Sequence, residues 1–219
     1  MIDPNEVKIS PSVLSADFLD LGSAVEAVKN TEWLHLDVMD GHFVPNLTFG
    51  PCVIESIRDK SDHVFDTHLM ISNPDEYIED FVEAGSDIIT FHLEAVEDPE
   101  RLIEKIKRSG TKAGLSLKPG TKFEEIEEFL PSIDLILIMT VEPGFSGQEF
   151  MEKVVPKIRK ARDVVDEQGY DIDIAVDGGI SPETAEKVVK NGANVLVSGS
   201  SVFKGDIEKN LKKLRKAVE

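Results

Sequence analysis

An eightfold alternation governs this chain. Short runs rich in aliphatic and β-branched residues recur at 7–13 "VKISPSV", 33–38 "WLHLDV", 63–69 "HVFDTHL", 87–92 "DIITFH", 112–117 "KAGLSL", 134–140 "DLILIMT", 171–176 "DIDIAV" and 193–198 "ANVLVS". Longer amphipathic runs separate them. Repeated βα units of this kind imply a parallel sheet with helices outside it. Eight units in 219 residues suit a single closed (β/α)8 barrel spanning 1–219. The rival is a doubly wound open sheet, which ordinarily has a glycine-rich loop after its first strand. Here the first strand runs into "PSVLSADF", which holds no glycine.

The helical runs carry their own punctuation. "DFLDLGSAVEAVKN" opens on Asp17, a candidate N-cap. "NPDEYIEDFVEAG" opens on Asn73 with Pro74 at the first helical position, and "SPETAEKVVKNG" repeats that logic with Ser181, Pro182 and a terminal Gly192. "PERLIEKIKRSG" and "EFMEKVVPKIRKARDVVDEQG" also end in glycine.

Composition excludes some partners. A net charge of −18 lacks the basic footprint that a nucleic-acid surface needs. An anionic small molecule is still admissible, because salt screens the global field beyond roughly 8 Å. The one cysteine, Cys52, cannot form an internal disulfide, which fits a reducing compartment. The first residues, "MIDPNEVKIS", lack the apolar run of a secretory signal. The greasiest stretch, "LILIM" at 135–139, is far short of the ~20 residues that span a bilayer. The expectation is a soluble, cytoplasmic protein with no nucleic-acid or membrane partner. A homo-oligomer is compatible with it.

In such a barrel the chemistry sits at the C-terminal ends of the strands. His35, Asp37 and Met39 alternate along the second strand and so share a face. Leu34, Leu36 and Val38 are apolar and suit the face under the helices, which leaves the first set to the barrel axis. His68 and Met70 share a face on the third strand, and Asp177 ends the seventh. Two imidazoles and two carboxylates at three strand ends are suitable ligands for Zn2+, Mn2+, Fe2+ or Co2+. Any one of these histidines alone is more simply a hydrogen-bonded strand-end residue. The four together, placed by an independent fold argument, favour a site. His42 and His92 read as residues standing behind the ligands or as loop structure, and His63 as a residue of the opposite, stability end.

Glycines mark the neighbouring strand ends: "PGFSGQ" (143–148), "DGGIS" (177–181) and "SGSS" (198–201). Their main chain can approach an anion closely, and the loops after strands seven and eight of such barrels are a recurrent phosphate site. Plain turn chemistry would account for one such loop, less readily for three side by side. Met39, Met70 and Met139 also end strands there, as core filler or as an apolar wall over a reacting carbon.

The stretches "ISPSVLSADF", "HLDVMDGHFVPNLTFGP", "DTHLMISNP", "MTVEPGFSGQ", "VDGGI" and "SGSSVF" resemble the ribulose-phosphate 3-epimerase family, and the resemblance runs through the whole chain. It implies a TIM barrel of the ribulose-phosphate-binding type. It implies interconversion of D-ribulose 5-phosphate and D-xylulose 5-phosphate with one divalent cation. Carried over by residue, the metal ligands are His35, Asp37, His68 and Asp177, and the two aspartates are also the acid/base pair. Ser12 matches a substrate-contacting serine. Gly144, Phe145, Ser146, Gly147, Gly178, Gly179, Gly199 and Ser200 match the phosphate grip, and the three methionines match residues lining the site. The phosphate loop departs from the usual PGFGGQ by having Ser146, which would be strained if that position needs positive φ. The lead-in "KNTEWLHLD" looks shorter than usual, on the side away from the site. Two alternatives of similar architecture are an epimerase for D-allulose 6-phosphate and a non-catalytic sugar-phosphate barrel. The orotidine-phosphate decarboxylase type needs a lysine that "HLDVMD" lacks.

Overall fold

The computed structural model describes residues 2, 3 and 6–219. Eight parallel strands form one sheet: β1 Lys8–Pro11, β2 Trp33–Met39, β3 Val64–Met70, β4 Ile88–His92, β5 Lys112–Leu117, β6 Leu135–Met139, β7 Asp173–Asp177 and β8 Val195–Ser198. Each pairs in register with its sequence neighbour from β2 to β8, and β8 pairs with β1, Lys8 facing Val195. A single bridge between Ser12 and His35 joins β1 to β2 and closes the ring. Below it, where ladder bonds are missing, the Glu32 carboxylate accepts the Ile9 N–H at 2.9 Å. Arg215 in turn donates to Glu32 and to the Val7 carbonyl. This is the (β/α)8 barrel expected from the alternation.

Outside the ring lie α1 Leu21–Ala27, α2 Pro51–Arg58, α3 Ile78–Glu83, α4 Pro99–Arg108, α5 Val155–Gln168, α6 Pro182–Lys190, α7 Ser200–Phe203 and α8 Ile207–Lys216. Several starts differ from the sequence reading. Asp17 caps a 3-10 turn, Phe18–Asp20, and α1 itself is capped by Asp20, which accepts from Ser23 N. Asn73 and Pro74 begin another 3-10 turn, without a side-chain cap, and α3 starts only at Ile78. The β5–β6 link is a 3-10 segment, Phe123–Ser132, that contains Pro131. Proline lacks the N–H that an α-helical ladder would need there. The other punctuation stands: Ser181 and Pro182 open α6, and Gly169 ends α5 at φ 69°.

Strand parity sorts the interior as expected. Leu34, Leu36 and Val38 pack with helix residues such as Ile54, Ile57 and Ile103 in the layer between sheet and helices. A separate cluster fills the barrel itself, with Trp33, Ile88, Leu135, Leu137, Met139, Ala175, Val195 and Val197. It occupies mainly the β6–β8 side. Many of the inward positions of β1 to β5, with Ser12 just after β1, are instead polar and buried: Ser10, Ser12, His35, Asp37, Asp66, His68, Thr90, His92 and Ser116. A buried charge or imidazole is tolerated only with partners, so those partners define the site.

Candidate active site

His35, Asp37, His68 and Asp177 converge at the C-terminal strand ends, each offering one ligand atom within 4.8 Å of the others. His35 Nε2 lies 3.5 Å from Asp37 Oδ1 and 3.2 Å from His68 Nδ1. His68 Nδ1 is 3.7 Å from Asp37 Oδ1 and 4.0 Å from Asp177 Oδ2. Four ligands at about 2.0–2.2 Å around a tetrahedral centre would sit roughly 3.3–3.6 Å apart, so these spacings suit one small divalent cation. Both histidines are fully buried, and Asp177 is the most open of the four at 17% side-chain exposure.

The outer nitrogens of the two imidazoles are also engaged. His35 Nδ1 meets Asp66 Oδ2 at 2.8 Å, and Thr90 Oγ1 donates to the other Asp66 oxygen at 2.8 Å. Room for Thr90 comes from Gly114, where a Cβ would fall 2.3 Å from the Thr90 hydroxyl oxygen. His68 Nε2 meets His92 Nε2 at 2.9 Å, and His92 Nδ1 meets Glu94 Oε2 at 3.2 Å. Such outer partners orient metal-binding imidazoles and fix their tautomers. The sequence reading passed over Asp66, Thr90 and Glu94 but had His92 as a residue behind the ligands or in a loop, and the contact with His68 bears out the first. Asp66 was findable: it lies two residues before His68, on the same inward face of a strand where a lone carboxylate needs a partner.

The electrostatics split the carboxylates. Burial would raise Asp37, but the charge of the neighbouring His35 and its hydrogen bond overcome it and hold the group far below the carboxylate range. Ser12 Oγ donates to its second oxygen at 2.6 Å. Burial and the neighbouring Asp37 charge instead push Asp177 up to about 7. Burial alone would lower His35, yet Asp37 and Asp66 raise it well above the imidazole range. Two carboxylates driven apart by their surroundings can divide the roles of acid and base.

Asp40 sits close by in sequence but serves the backbone. Its carboxylate accepts from the N–H groups of His42, Phe43 and Ser72 at 2.7–2.9 Å. It thereby folds the 41–47 loop over the mouth, where Val44 packs on Met39 and Met70. Asn46 Nδ2 donates to the Gly144 carbonyl at 2.7 Å and ties this loop to the one after β6.

A cleft opens above the quartet. Ser12, Asp37, Met39, Met70, Met139, Gly144, Phe145, Ser146, Gly147, Asp177, Gly178, Gly179, Gly199 and Ser200 all line it. His35 and His68 lie beneath. In the loop after β6, Gly144 and Gly147 take positive φ (128° and 76°), whereas among the described residues no non-glycine does. Ser146 is therefore unstrained. Gln148 Nε2 donates to the carbonyls of Glu142 and Phe145 at 2.7 and 2.8 Å and closes that loop. The "DGG" glycines have a packing reason as well. A Cβ on Gly178 would come within 2.8 Å of Val141 N, and one on Gly179 within 2.7 Å of Phe150 N. Thr140 Oγ1 donates to the Asp177 and Gly178 carbonyls, fixing the end of β7.

Among solved structures, a mutant tryptophan synthase alpha-subunit from the hyperthermophile Pyrococcus furiosus superposes with a TM-score of 0.70 at 16% identity, covering 97% of this chain and 96% of its own. That likeness shows the fold. A ribulose-phosphate 3-epimerase of Bacillus subtilis (strain 168) is 46% identical over 213 residues, covering 95% of this chain and 98% of its own. One from Synechocystis sp. is 47% identical over 201 residues, covering 90% and 87%. Residues 8–203 match the profile described as the ribulose-phosphate 3 epimerase family. With quartet, cleft and sequence in agreement, the chain belongs to the ribulose-phosphate 3 epimerase family.

Proposed function

We propose that this single-domain chain, 1–219, interconverts D-ribulose 5-phosphate and D-xylulose 5-phosphate by moving a proton at carbon 3. One observation carries the proposal: Asp37 on β2 and Asp177 on β7 meet the same pair of imidazoles at the floor of one cleft. The hydrogen on carbon 3 is acidified by the carbonyl at carbon 2. One carboxylate removes it and leaves a cis-enediolate. The other, across the ring, returns a proton to the opposite face and inverts the centre. Such acid/base transfer contributes about 10²–10⁴-fold. Ser12, donating to Asp37, keeps that carboxylate oriented.

His35 Nε2, His68 Nδ1 and one oxygen from each aspartate would hold the divalent cation, and a nitrogen–oxygen donor set of this kind suits Zn2+, Fe2+, Mn2+ or Co2+. When bound, such an ion supplies Lewis-acid stabilisation of negative charge on the oxygens of carbons 2 and 3, worth several kcal/mol. Met39, Met70 and Met139, all buried, wall the reacting carbon from water. The phosphate is assigned to the loops carrying Gly144, Phe145, Ser146, Gly147, Gly178, Gly179, Gly199 and Ser200. Main-chain N–H groups act there at short range, where the screened charge of −18 opposes them little. The remote phosphate thus supplies binding energy that orients the sugar.

No helix of the described residues is long and apolar enough to cross a membrane; the proposal places the protein in the cytoplasm, with a small-molecule partner. The test is a coupled epimerase assay on metal-stripped protein, resupplied with single divalent ions, on pentulose and hexulose phosphates side by side. Turnover restored by one ion, with solvent deuterium entering only at carbon 3, is the expected result. Label at carbon 1, or binding without turnover, would refute it.

A further inference from the structure

The two imidazoles of the quartet reach it by different routes. His35 has a carboxylate, Asp66, directly on its outer nitrogen. His68 has another imidazole there, and two facing nitrogens at 2.9 Å need one proton between them. Either histidine could carry it. If His68 Nε2 carries it, Nδ1 keeps a lone pair toward the quartet. If His92 Nε2 carries it, His68 is left with an N–H pointing at the ligand position, which cannot bind a cation.

Glu94 decides between them. Its Oε2 faces His92 Nδ1 at 3.2 Å, and its Oε1 accepts from Lys118 N at 2.9 Å and from the Thr121 hydroxyl. An ionised carboxylate is an acceptor only, so His92 presents N–H at Nδ1, and being fully buried and neutral it keeps a lone pair at Nε2. His68 Nε2 then donates, and His68 Nδ1 keeps its lone pair, facing His35 Nε2 at 3.2 Å on the quartet side. We infer that Glu94, acting through His92, is a positioning residue that sets the tautomer of His68 for metal binding. This rests on the metal-site reading given above.

An isosteric change tests the logic. In Glu94→Gln, two fixed donors, Lys118 N–H and the Thr121 hydroxyl, hold the amide oxygen at the Oε1 position. The amide NH2 then faces His92 Nδ1 and reverses every proton in the chain. Losing an outer-shell partner of a metal-binding imidazole typically costs 10–100-fold in affinity, so Co2+ affinity, measured by chelator competition, should fall by about that factor. Thr121→Ala removes a loop contact of the same glutamate without touching His92 and should stay within about twofold. ¹⁵N NMR of metal-free wild-type protein labelled in histidine reads the relay without any variant. Protons on His68 Nε2 and His92 Nδ1 are expected.

The opposite tautomers, Glu94→Gln within about threefold of wild type, or Thr121→Ala as damaging as Glu94→Gln would each overturn the inference. A wild-type protein that binds no Co2+ would sink the metal-site reading instead, and the NMR spectrum would still decide the relay.

Discussion

At the tips of β2, β3 and β7 the site is made of side chains: four candidate ligand groups, three of them steered by a second residue, Asp37 by Ser12, His35 by Asp66 and His68 by His92. Across the mouth, the loops after β6, β7 and β8 offer mostly main chain, shaped by glycines at 144, 147, 178, 179 and 199. A side-chain site concentrates its chemistry in a few irreplaceable atoms. A main-chain site spreads its grip over many N–H groups and survives the loss of one side chain. It is instead vulnerable to any residue that changes the path of the backbone.

The largest effect should follow removal of a proton carrier. Asp37→Asn and Asp177→Asn should each lower kcat by about 10²–10⁴-fold while keeping the circular-dichroism spectrum of the barrel. If either kept more than about a tenth of wild-type turnover, a loss under ~1.4 kcal/mol, the concentration of chemistry on the quartet side would be wrong.

Next comes acidity. The metal-free carboxyl of Asp177 titrates near 7, so a cation arriving at lower pH must displace its proton. Affinity should fall up to about tenfold per pH unit below 7, hence about a hundredfold at pH 5. His35, also raised, steepens the fall. Stability of the metal-free protein should run the other way. Between the ordinary carboxyl value of 3.8 and 7 the folded state holds a proton that the unfolded chain does not. The Asp177 contribution is therefore greatest below that window and is lost as pH rises through 7. Calorimetric titration and thermal melts from pH 4 to 8 check both slopes, and Asp177→Asn should flatten its share of each.

The loop side should respond more mildly. Gly147 sits at φ 76°, and a Cβ added to it would have no protein atom within 4 Å, so a side chain there meets no wall of the fold. Gly147→Val should raise KM about tenfold, through the cost of left-handed backbone for a branched residue, roughly 1–2 kcal/mol, and through a blocked approach to the anion. Smallest of all, Ser146→Gly leaves the N–H in place and removes at most a hydroxyl contact, worth about 0.5–1.5 kcal/mol. Paired steady-state kinetics rank the two. A serine change more harmful than the glycine change would make the hydroxyl the main grip and erase the contrast.

The same contrast explains what could be read from the sequence. Parity placed His35, Asp37 and Met39 inward and Leu34, Leu36 and Val38 outward, because a period of two leaves only two choices and apolar residues decide between them. The quartet was legible because its residue types are rare inside strands. Asp66 and Glu94 were not picked out: the partner of Asp66 lies across the sheet at His35, 31 residues away, and Glu94 gains its meaning only through what His92 touches. The 3-10 starts at Asp17 and Asn73 were missed for a related reason. Cap residues signal that a turn begins, and packing on the barrel decides whether it tightens or becomes an α-helix. Ser146 could be resolved only by its backbone angle, which no motif encodes.

Closure of the ring has a consequence for how such a chain comes into being. β1 is zipped along its length to β8, at the far end of the sequence, but touches its successor β2 through the Ser12–His35 bridge. Three of the four ligand residues lie within the first 70 residues, whereas Asp177 follows His68 by roughly a hundred. At the ~5–20 residues per second of protein synthesis, the early three wait on the order of 5–20 s for their partner. The last strand must then be made before the first finds its ladder. On the ribosome the quartet is therefore completed late, and the nascent chain carries three of its four side chains without the last for about half of its synthesis.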